Sequence, residues 1–160
     1  MRKQIARSPL SPASLSSRHE LDVVTLATVL VTSETPDFPI DNVFDDHRGL
    51  GGTRWIAAEP GEQTLIVAFD MPQLLHRIIL EVEEREVERT QELAIALSED
   101  GGQIYRELLR QEYTFSPSGA TFEREEWTIA ARTVTHVRLW INPDKGGRSC
   151  RATLTTLAFY

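Results

Sequence analysis

The sequence contains a single cysteine, Cys150, among its 160 residues. An intrachain disulfide is therefore excluded, and one cysteine with four scattered histidines (His19, His47, His76 and His136) does not make a zinc-ligand pattern. The P-loop, G-x-G-x-x-G, G-x-S-x-G and H-E-x-x-H motifs are also missing. These absences argue against the common nucleotide-dependent, hydrolytic and zinc-dependent enzymes, so we expect no catalytic activity.

Long apolar runs are missing as well. The basic start, Met1 to Arg7, leads into Ser- and Pro-rich sequence instead of the apolar stretch of a secretion signal. No segment approaches the ~20 apolar residues that span a bilayer. We therefore expect a cytoplasmic protein without a membrane span, in which residues 1–20 form a flexible tail and residues 21–160 form one domain.

Positive charge is scarce. The chain has 17 basic and 24 acidic residues and a formal net charge of −7. Binding to nucleic acid depends on Lys and Arg that neutralise phosphates, so a nucleic acid is not the expected partner. Many of the acidic residues fall in the alternating Glu and Arg of residues 81–92, which we interpret as a charged surface connection and not as catalytic carboxylates.

From about residue 26 onward, apolar residues recur with a period of two, which is typical of strands. In residues 134–142, aliphatic side chains alternate with His136, Arg138 and Trp140, while residues 64–69 are apolar on both faces and predict a central strand. The Asp-Gly of residues 99–102 is a hairpin signal. We predict strands near 26–34, 53–58, 62–70, 74–83, 90–98, 103–115, 122–130, 134–142 and 152–160. Short, regularly spaced strands favour an all-β fold, an antiparallel sandwich or barrel.

Several of these segments resemble a discoidin domain, also called a coagulation-factor type C domain. The resemblance rests on Pro39–Asp46, Thr53-Arg-Trp55 and Gly61–Asp70 for the opening strands and loop, on Ser98–Gly102 for a mid-chain hairpin, and on Val137–Ile141 and Ala152–Tyr160 for the last two strands. It implies an antiparallel β-sandwich jelly roll of the galactose-binding-domain-like type. Members of that family bind sugars, phospholipid head groups or proteins through loops at one end.

The resemblance also bears on metal binding, because many members hold a structural calcium near this opening loop. Asp45 and Thr53 occupy matching positions, whereas Asp46 stands where the family has Gly. The carboxylate that the last strand often supplies would fall near Thr156. Calcium favours anionic oxygen ligands, and one is lost here. We therefore expect no cofactor, with a structural calcium at Asp45 and Thr53 as the alternative.

Candidate ligand contacts combine aromatic rings with charge. Trp140, beside His136 and Arg138 in the alternation, offers a ring that could stack on a sugar or pack against a partner, and cover by a neighbouring loop is the alternative. Trp55 and Trp127 are predicted core residues. The other candidates lie in or beside loops, where binding residues concentrate: Arg110, Tyr113 and Phe115, then Asp144, Lys145 and Arg148, and His47 and Arg48.

Taken with the resemblance, these residues predict a non-catalytic module that binds carbohydrate or another small polar ligand through loops at one end of the sandwich. A cytoplasmic protein-interaction or assembly domain, with a protein as partner, is the alternative. A third hypothesis comes from residues 53–65, which resemble the N-terminal domain of the single-strand-break repair scaffold. That domain has the same fold and serves DNA and polymerase binding, which the acidic balance of this chain disfavours.

Overall fold

The computed structural model describes residues 19–160. The predicted N-terminal tail therefore lies outside the described residues, apart from His19 and Glu20, and Glu20 contacts Arg48. A short helix, α1 (Val23–Leu26), and a 3-10 turn (Ile40–Phe44) accompany eight strands. The strands are β1 (Ala27–Val31), β2 (Trp55–Pro60), β3 (Gln63–Glu83), β4 (Arg89–Ser98), β5 (Arg106–Phe115), β6 (Phe122–Asn142), β7 (Arg151–Leu154) and β8 (Thr156–Phe159). Among the described residues, no helix is long and apolar enough to cross a membrane.

Strands β3 and β6 are the longest and form one antiparallel ribbon. Gln63 pairs with Ile141 at one end of it, and Glu83 pairs with Phe122 at the other. The first half of the ribbon lies in a sheet with the order β1-β3-β6-β4-β5, while β8 pairs with the second half of β3. Strands β2 and β7 form a separate antiparallel pair. The ribbon therefore belongs to both layers of an antiparallel sandwich.

The two predicted strands at 62–70 and 74–83 are one continuous strand, which corrects the break expected between them. The register against β6 shifts between Ala68 and Gln73, and again between Leu75 and Arg77. Pro72 has no N–H to donate to a ladder and is tolerated at such irregular positions, where a bulge bends the strand without ending it. Residues 122–130 and 134–142 are continuous as β6 for the same reason.

The last predicted strand, 152–160, is two strands with different partners. β7 pairs with β2, and β8 pairs with β3. The change of partner falls at Thr155, whose N–H donates to the Glu81 carbonyl at 2.9 Å. The other predicted strands agree with the structure to within a few residues. The central position predicted for residues 64–69 is confirmed, because that part of β3 lies between β1 and β6.

One hydrophobic core fills the space between the layers. It contains the aliphatic residues that alternate along β4 and β6, such as Ile95 and Leu139, which are fully buried. Trp55 is fully buried and its Nε1 donates to the Ser33 carbonyl at 3.0 Å, which confirms its predicted core position. Trp127 is partly buried and packs against this core. The polar side of the alternation consequently forms the outer face of the sheet.

Candidate binding surfaces

Four paired strands place side chains in rows across the outer face of the larger sheet. Thr64, Trp140, Ala94 and Arg110 are register partners on β3, β6, β4 and β5. The next row contains Ile66, Arg138, Ala96 and Glu107. Because β4 contributes only methyl groups between longer side chains, the rows enclose an open groove of about 550 Å³, which we call the sheet groove. Its volume lies within the range of ligand pockets.

Two cation–π contacts order the side chains of the sheet groove. The Arg110 guanidinium carbon lies 5.1 Å from the centre of the Trp140 ring, and the Arg138 guanidinium carbon lies 4.3 Å from the centre of the Tyr105 ring. Arg110 Nε also donates to Glu107 at 2.8 Å. Burial raises the pKa of the Tyr105 hydroxyl, although the Arg138 charge opposes this rise. Three sequence candidates, Arg110, Arg138 and Trp140, thus come together in one groove.

A second surface lies where the loops of one end meet the β2–β7 pair, and we call it the loop-end cleft. It has a volume of about 660 Å³. Its lining consists of Phe38, Arg54, Ile56, Glu84, Arg85, Glu86, Val87, Arg89, Ser149, Cys150, Arg151 and Thr153. Phe38 and Val87 are 40% and 37% exposed, so apolar surface faces solvent here. None of the candidate contacts from the sequence lines this cleft.

The charges of the loop-end cleft are held in place by buried partners. The Arg89 side chain is almost fully buried, donates to the Arg151 carbonyl and lies 3.3 Å from the Glu84 carboxylate. The Glu83 side chain is fully buried, with Arg54 at 3.6 Å and Arg85 in contact. In residues 81–92, the predicted strand end is the end of β3 at Glu83 and the charged connection is residues 84–88, whereas residues 89–92 belong to β4. The burial of Glu83 and Arg89, the end residues of β3 and β4, was not predicted, because the alternating Glu and Arg of this segment was interpreted as a charged surface.

Tyr113 and Phe115 are not surface contacts, which corrects their assignment as ligand-binding residues. Phe115 is fully buried and Tyr113 is 6% exposed. They alternate with exposed Thr114 at the end of β5, so both side chains point into the core. The period of two that marks core residues elsewhere is present here too, and it outweighs the proximity of these residues to a loop.

The loop from 143 to 150 is organised around Asp144. Its carboxylate accepts N–H bonds from Thr90 at 3.2 Å, Gly146 at 3.1 Å and Arg148 at 3.0 Å. Burial raises the pKa of Asp144, but these hydrogen bonds outweigh it and hold the pKa below its usual value. Asp144 therefore stabilises its own loop and has little carboxylate surface left for a ligand.

The other charged candidates pair with nearby groups. Lys145 contacts the Glu112 carboxylate, and the Arg148 guanidinium donates to the Glu88 carbonyl. Arg48 contacts Glu20 and donates to the Tyr160 hydroxyl at 3.4 Å, so it ties the first described residues to the last. The His47 side chain is 73% exposed and lies 3.4 Å from the Asp45 carboxylate. None of these four residues lines either of the two surfaces.

The predicted metal position, Asp45 with Thr53, is closed by hydrogen bonds. One Asp45 oxygen accepts from the Thr53 hydroxyl at 2.6 Å, and the other accepts from the His47 N–H at 2.9 Å. Burial raises the pKa of Asp45, yet these bonds hold it below its usual value. Asp46 has φ +65°, a left-handed conformation that favours the Gly of the family.

The rest of this loop turns N–H groups, not carbonyl oxygens, toward buried carboxylates. Gly49 and Gly51 donate to Glu81 and Glu83, each at 2.9 Å, and the Thr156 hydroxyl donates to Glu81 at 3.0 Å. Within the described part of the chain, no group of three His, Cys, Asp or Glu residues could hold a metal ion. Calcium takes six to eight oxygen ligands. A structural calcium at Asp45 and Thr53 stays a prediction, since the Thr53 hydroxyl, the Asp45 carboxylate and the Asn42 carbonyl bring oxygens together here.

No family model and no curated protein matches the sequence. Solved structures do match. The CBM32 of AlyQ in complex with 4,5-unsaturated mannuronic acid aligns with a TM-score of 0.61 and 19% identity, over 89% of this chain and 98% of that one. Chitosan-binding module 1 from a chitosanase/glucanase of Paenibacillus sp. IK-5 aligns with a TM-score of 0.59 and 22% identity, over 88% and 98%.

A GH29 fucosidase of Ruminococcus gnavus in complex with fucose aligns with a TM-score of 0.67 and 11% identity. The match covers 88% of this chain and 26% of the fucosidase, so the chain spans about a quarter of that enzyme. These likenesses confirm the fold predicted from the sequence, an antiparallel β-sandwich.

Proposed function

We propose that this protein is a non-catalytic carbohydrate-binding module whose sugar site is the loop-end cleft. The observation that carries the proposal is the combination of an exposed aromatic ring, Phe38, with charged hydrogen-bonding side chains in one concave surface. Sugar rings have an apolar face that stacks on aromatic rings and hydroxyls that pair with charged groups. The matched solved modules, one chitosan-binding and one in complex with an unsaturated mannuronic acid, support the same function.

The Phe38 ring is presented by a rigid backbone. Thr35 and Phe38 form an isolated bridge, and Phe38 N–H donates to the Thr35 carbonyl at 3.1 Å. Both residues are then tied to β2, because Thr35 N–H donates to the Ile56 carbonyl and Ile56 N–H donates to the Phe38 carbonyl. A ring fixed in this way loses little freedom when a sugar stacks on it.

The polar groups around Phe38 are oriented before a ligand arrives. Glu83, buried and bonded to the Gly51 N–H, positions Arg54 at 3.6 Å and Arg85 in contact. Glu84 likewise pairs with Arg89. Hydrogen bonds from preoriented charged groups to sugar hydroxyls are stronger than those from mobile side chains. In this proposal Phe38 supplies the stacking surface, while Arg54 and Arg85 donate to hydroxyls.

The two alternative functions stay predictions. A DNA-binding role in the manner of the repair scaffold would need uncompensated positive charge for phosphates. In the loop-end cleft, Arg54 and Arg85 share the Glu83 carboxylate, and Arg89 pairs with Glu84. Among the described residues, this leaves Arg151 as the one arginine of the cleft without an ion pair. The protein-interaction alternative is also open, because Phe38 and Val87 expose apolar surface together in the loop-end cleft. The other exposed large apolar residues of the described chain are Val24, Leu30, Leu50, Met71, Leu74 and Ile104.

The test is binding of the purified protein to an array of neutral and amino-sugar oligosaccharides, followed by calorimetry with the strongest ligand. We expect Phe38→Ala to weaken that binding about tenfold or more, equivalent to roughly 1.4 kcal/mol. Met71→Ala is the matched control, because Met71 is exposed and lies outside both surfaces. Absence of binding across the array and in calorimetry, or equal loss in both variants, contradicts the proposal.

A further inference from the structure

We infer that the sheet groove is a second binding site, separate from the loop-end cleft, and that it takes a saccharide bearing a carboxylate. The two surfaces share no lining residue. The sheet groove lies on the regular face of four strands, whereas the loop-end cleft is built from loops and the β2–β7 pair. The two surfaces can therefore be tested separately, with different sets of variants.

The shape of the sheet groove follows from one pair of small residues. Ala94 and Ala96 face outward from β4, flanked in register by Trp140 and Arg138 on β6 and by longer residues on β5. The alternate residues of these strands are buried in the core, so the backbone beneath the groove is held from behind. Sites on packed strands keep their geometry better than sites on loops. The backbone of the groove is therefore preformed, and Trp140 lies along one of its walls.

The charge of this trough is unbalanced at Arg138. No carboxylate of the described residues forms a salt bridge with Arg138, and residues 1–18 contain neither Asp nor Glu. Its guanidinium packs over the Tyr105 ring, which fixes the plane of the group. A fixed guanidinium presents two parallel N–H groups, the geometry that a carboxylate accepts in a bidentate pair. An anionic ligand would supply the partner that the chain does not provide.

Arg110 covers Trp140 but is held there weakly. Within the described chain its one ion pair is with Glu107, and the two side chains are 51% and 48% exposed. An exposed pair of this kind contributes at most about 1 kcal/mol. Arg110 can therefore swing away from the ring at little cost, freeing one face of Trp140 for a sugar and adding a second cation beside the ligand carboxylate.

A saccharide suits this groove better than a polymeric anion. The neutral hydroxyl of Thr64 and the aromatic ring of Trp140 lie in the same row, which matches the mixture of hydroxyls and apolar ring face in a sugar. A formal net charge of −7 repels long polyanions from the molecule as a whole. A short acidic sugar presents one or a few carboxylates to the local positive charge without meeting that repulsion.

The experiment is calorimetry of the full chain with a short oligogalacturonate and with the methyl ester of the same oligomer, which lacks only the charge. We expect the acid to bind at least about tenfold more tightly than the ester, a difference of roughly 1.4 kcal/mol. Arg138→Gln should remove this preference, and Trp140→Ala should weaken both ligands. Arg132→Gln is the matched control, because Arg132 is exposed on the same strand, outside the groove.

Nuclear magnetic resonance locates the bound ligand without relying on a loss of affinity in the variants. Oligogalacturonate should shift the amide signals of Ala94 and Ala96, and Phe38→Ala should leave these shifts unchanged. If Trp140→Ala does not fold, Trp140→Phe takes its place in the test, provided that its unfolding midpoint is unchanged. No binding of oligogalacturonate overturns the inference.

Three further outcomes also overturn the inference. None of them decides the proposed function, which is tested by the oligosaccharide array. The first is loss of oligogalacturonate binding in Phe38→Ala but not in Trp140→Ala, which places the acid in the loop-end cleft. The second is an equal effect of Arg132→Gln and Arg138→Gln, which shows a general charge effect. The third is equally tight binding of an Asp- and Glu-rich peptide, which shows an acidic peptide site.

Discussion

Asp144 shows how a residue with ligand chemistry can be used for structure. A carboxylate in an Asn-Pro-Asp-Lys-Gly-Gly loop is a reasonable contact for a polar ligand, but here it accepts three backbone N–H bonds and is 6% exposed. One of those bonds, from Thr90, joins the loop to β4. Asp144 thus fixes the loop from 143 to 150, part of which lines the loop-end cleft at Ser149 and Cys150.

At the residue scale, we expect Asp144→Ala to lower the free energy of unfolding by about 2 kcal/mol at neutral pH, since hydrogen bonds to a buried charged acceptor are lost. The pKa of Asp144 is held below its unfolded value, so this stabilisation is present above the unfolded pKa of about 3.9 and is lost as pH falls through the folded pKa. The difference between wild type and variant should therefore shrink on acidification. Urea unfolding at a series of pH values measures it.

The control for that series is Asp70→Ala, because Asp70 is exposed on β3. We expect this variant to change the free energy of unfolding by no more than about 0.5 kcal/mol, as is usual for exposed positions. A pH-independent loss in Asp144→Ala would contradict the account of the carboxylate as a charged acceptor.

In the loop between the 3-10 turn and β2, carboxylates again bond to the backbone of the chain itself. Here the carboxylates belong to a different element from the loop. Many members of the family that this chain resembles hold a calcium ion near this loop, and here Glu81 and Glu83 on β3 receive its N–H groups. Successive residues of a strand alternate sides, so residues 81 and 83 face the same way and reach neighbouring glycines. The Thr156 hydroxyl, at the position of the lost carboxylate, donates to Glu81 and completes the contact.

At the element scale, we expect neither calcium nor a chelator to change the thermal unfolding midpoint, because the loop is held by the chain itself. Glu81→Ala should lower the free energy of unfolding by about 3 kcal/mol, since it leaves buried donors without an acceptor. Glu86→Ala, an exposed position of the same charged segment, is the matched control and should be nearly neutral. A thermal unfolding midpoint raised by calcium would contradict this expectation and support a calcium site at Asp45 and Thr53.

At the scale of the whole molecule, the β3–β6 ribbon makes the two layers of the sandwich inseparable. Its first half pairs with β1 and β4, and its second half pairs with β8, while one hydrophobic core contacts both. Neither layer can lose its pairing without exposing the core of the other. The sheet groove and the loop-end cleft, on different parts of this one body, are consequently held in a constant spatial relation.

We therefore expect a single cooperative unfolding transition. Circular dichroism reports the sheets as a whole, and tryptophan fluorescence reports Trp55 in the core together with the half-buried Trp127 and Trp140. In a urea titration the two signals should have the same midpoint, as two-state unfolding requires. Separate midpoints, or a plateau between two transitions, would show that the layers unfold independently.

The sequence by itself determined the fold class and most strand positions. A period of two is a local property, readable wherever one face of a strand is buried, as along β4 and the second half of β6. The same property turned Trp140 outward. The core position of Trp55 was implied by the family resemblance, and its full burial confirms it. The alternation along β5 also indicated that Phe115 is buried, although the prediction gave more weight to its proximity to a loop.

Only the tertiary structure decided which side chains meet. The sheet groove joins residues of β3, β4, β5 and β6, and the loop-end cleft joins the segments around 38, 54, 84–89 and 149–153. These contacts depend on strand order and register, which bring together residues far apart in the chain and which no local pattern encodes. The burial of Glu83 and Arg89 depends on the same long-range packing. Periodicity thus identified the outward face, while pairing between distant strands turned part of it into a groove.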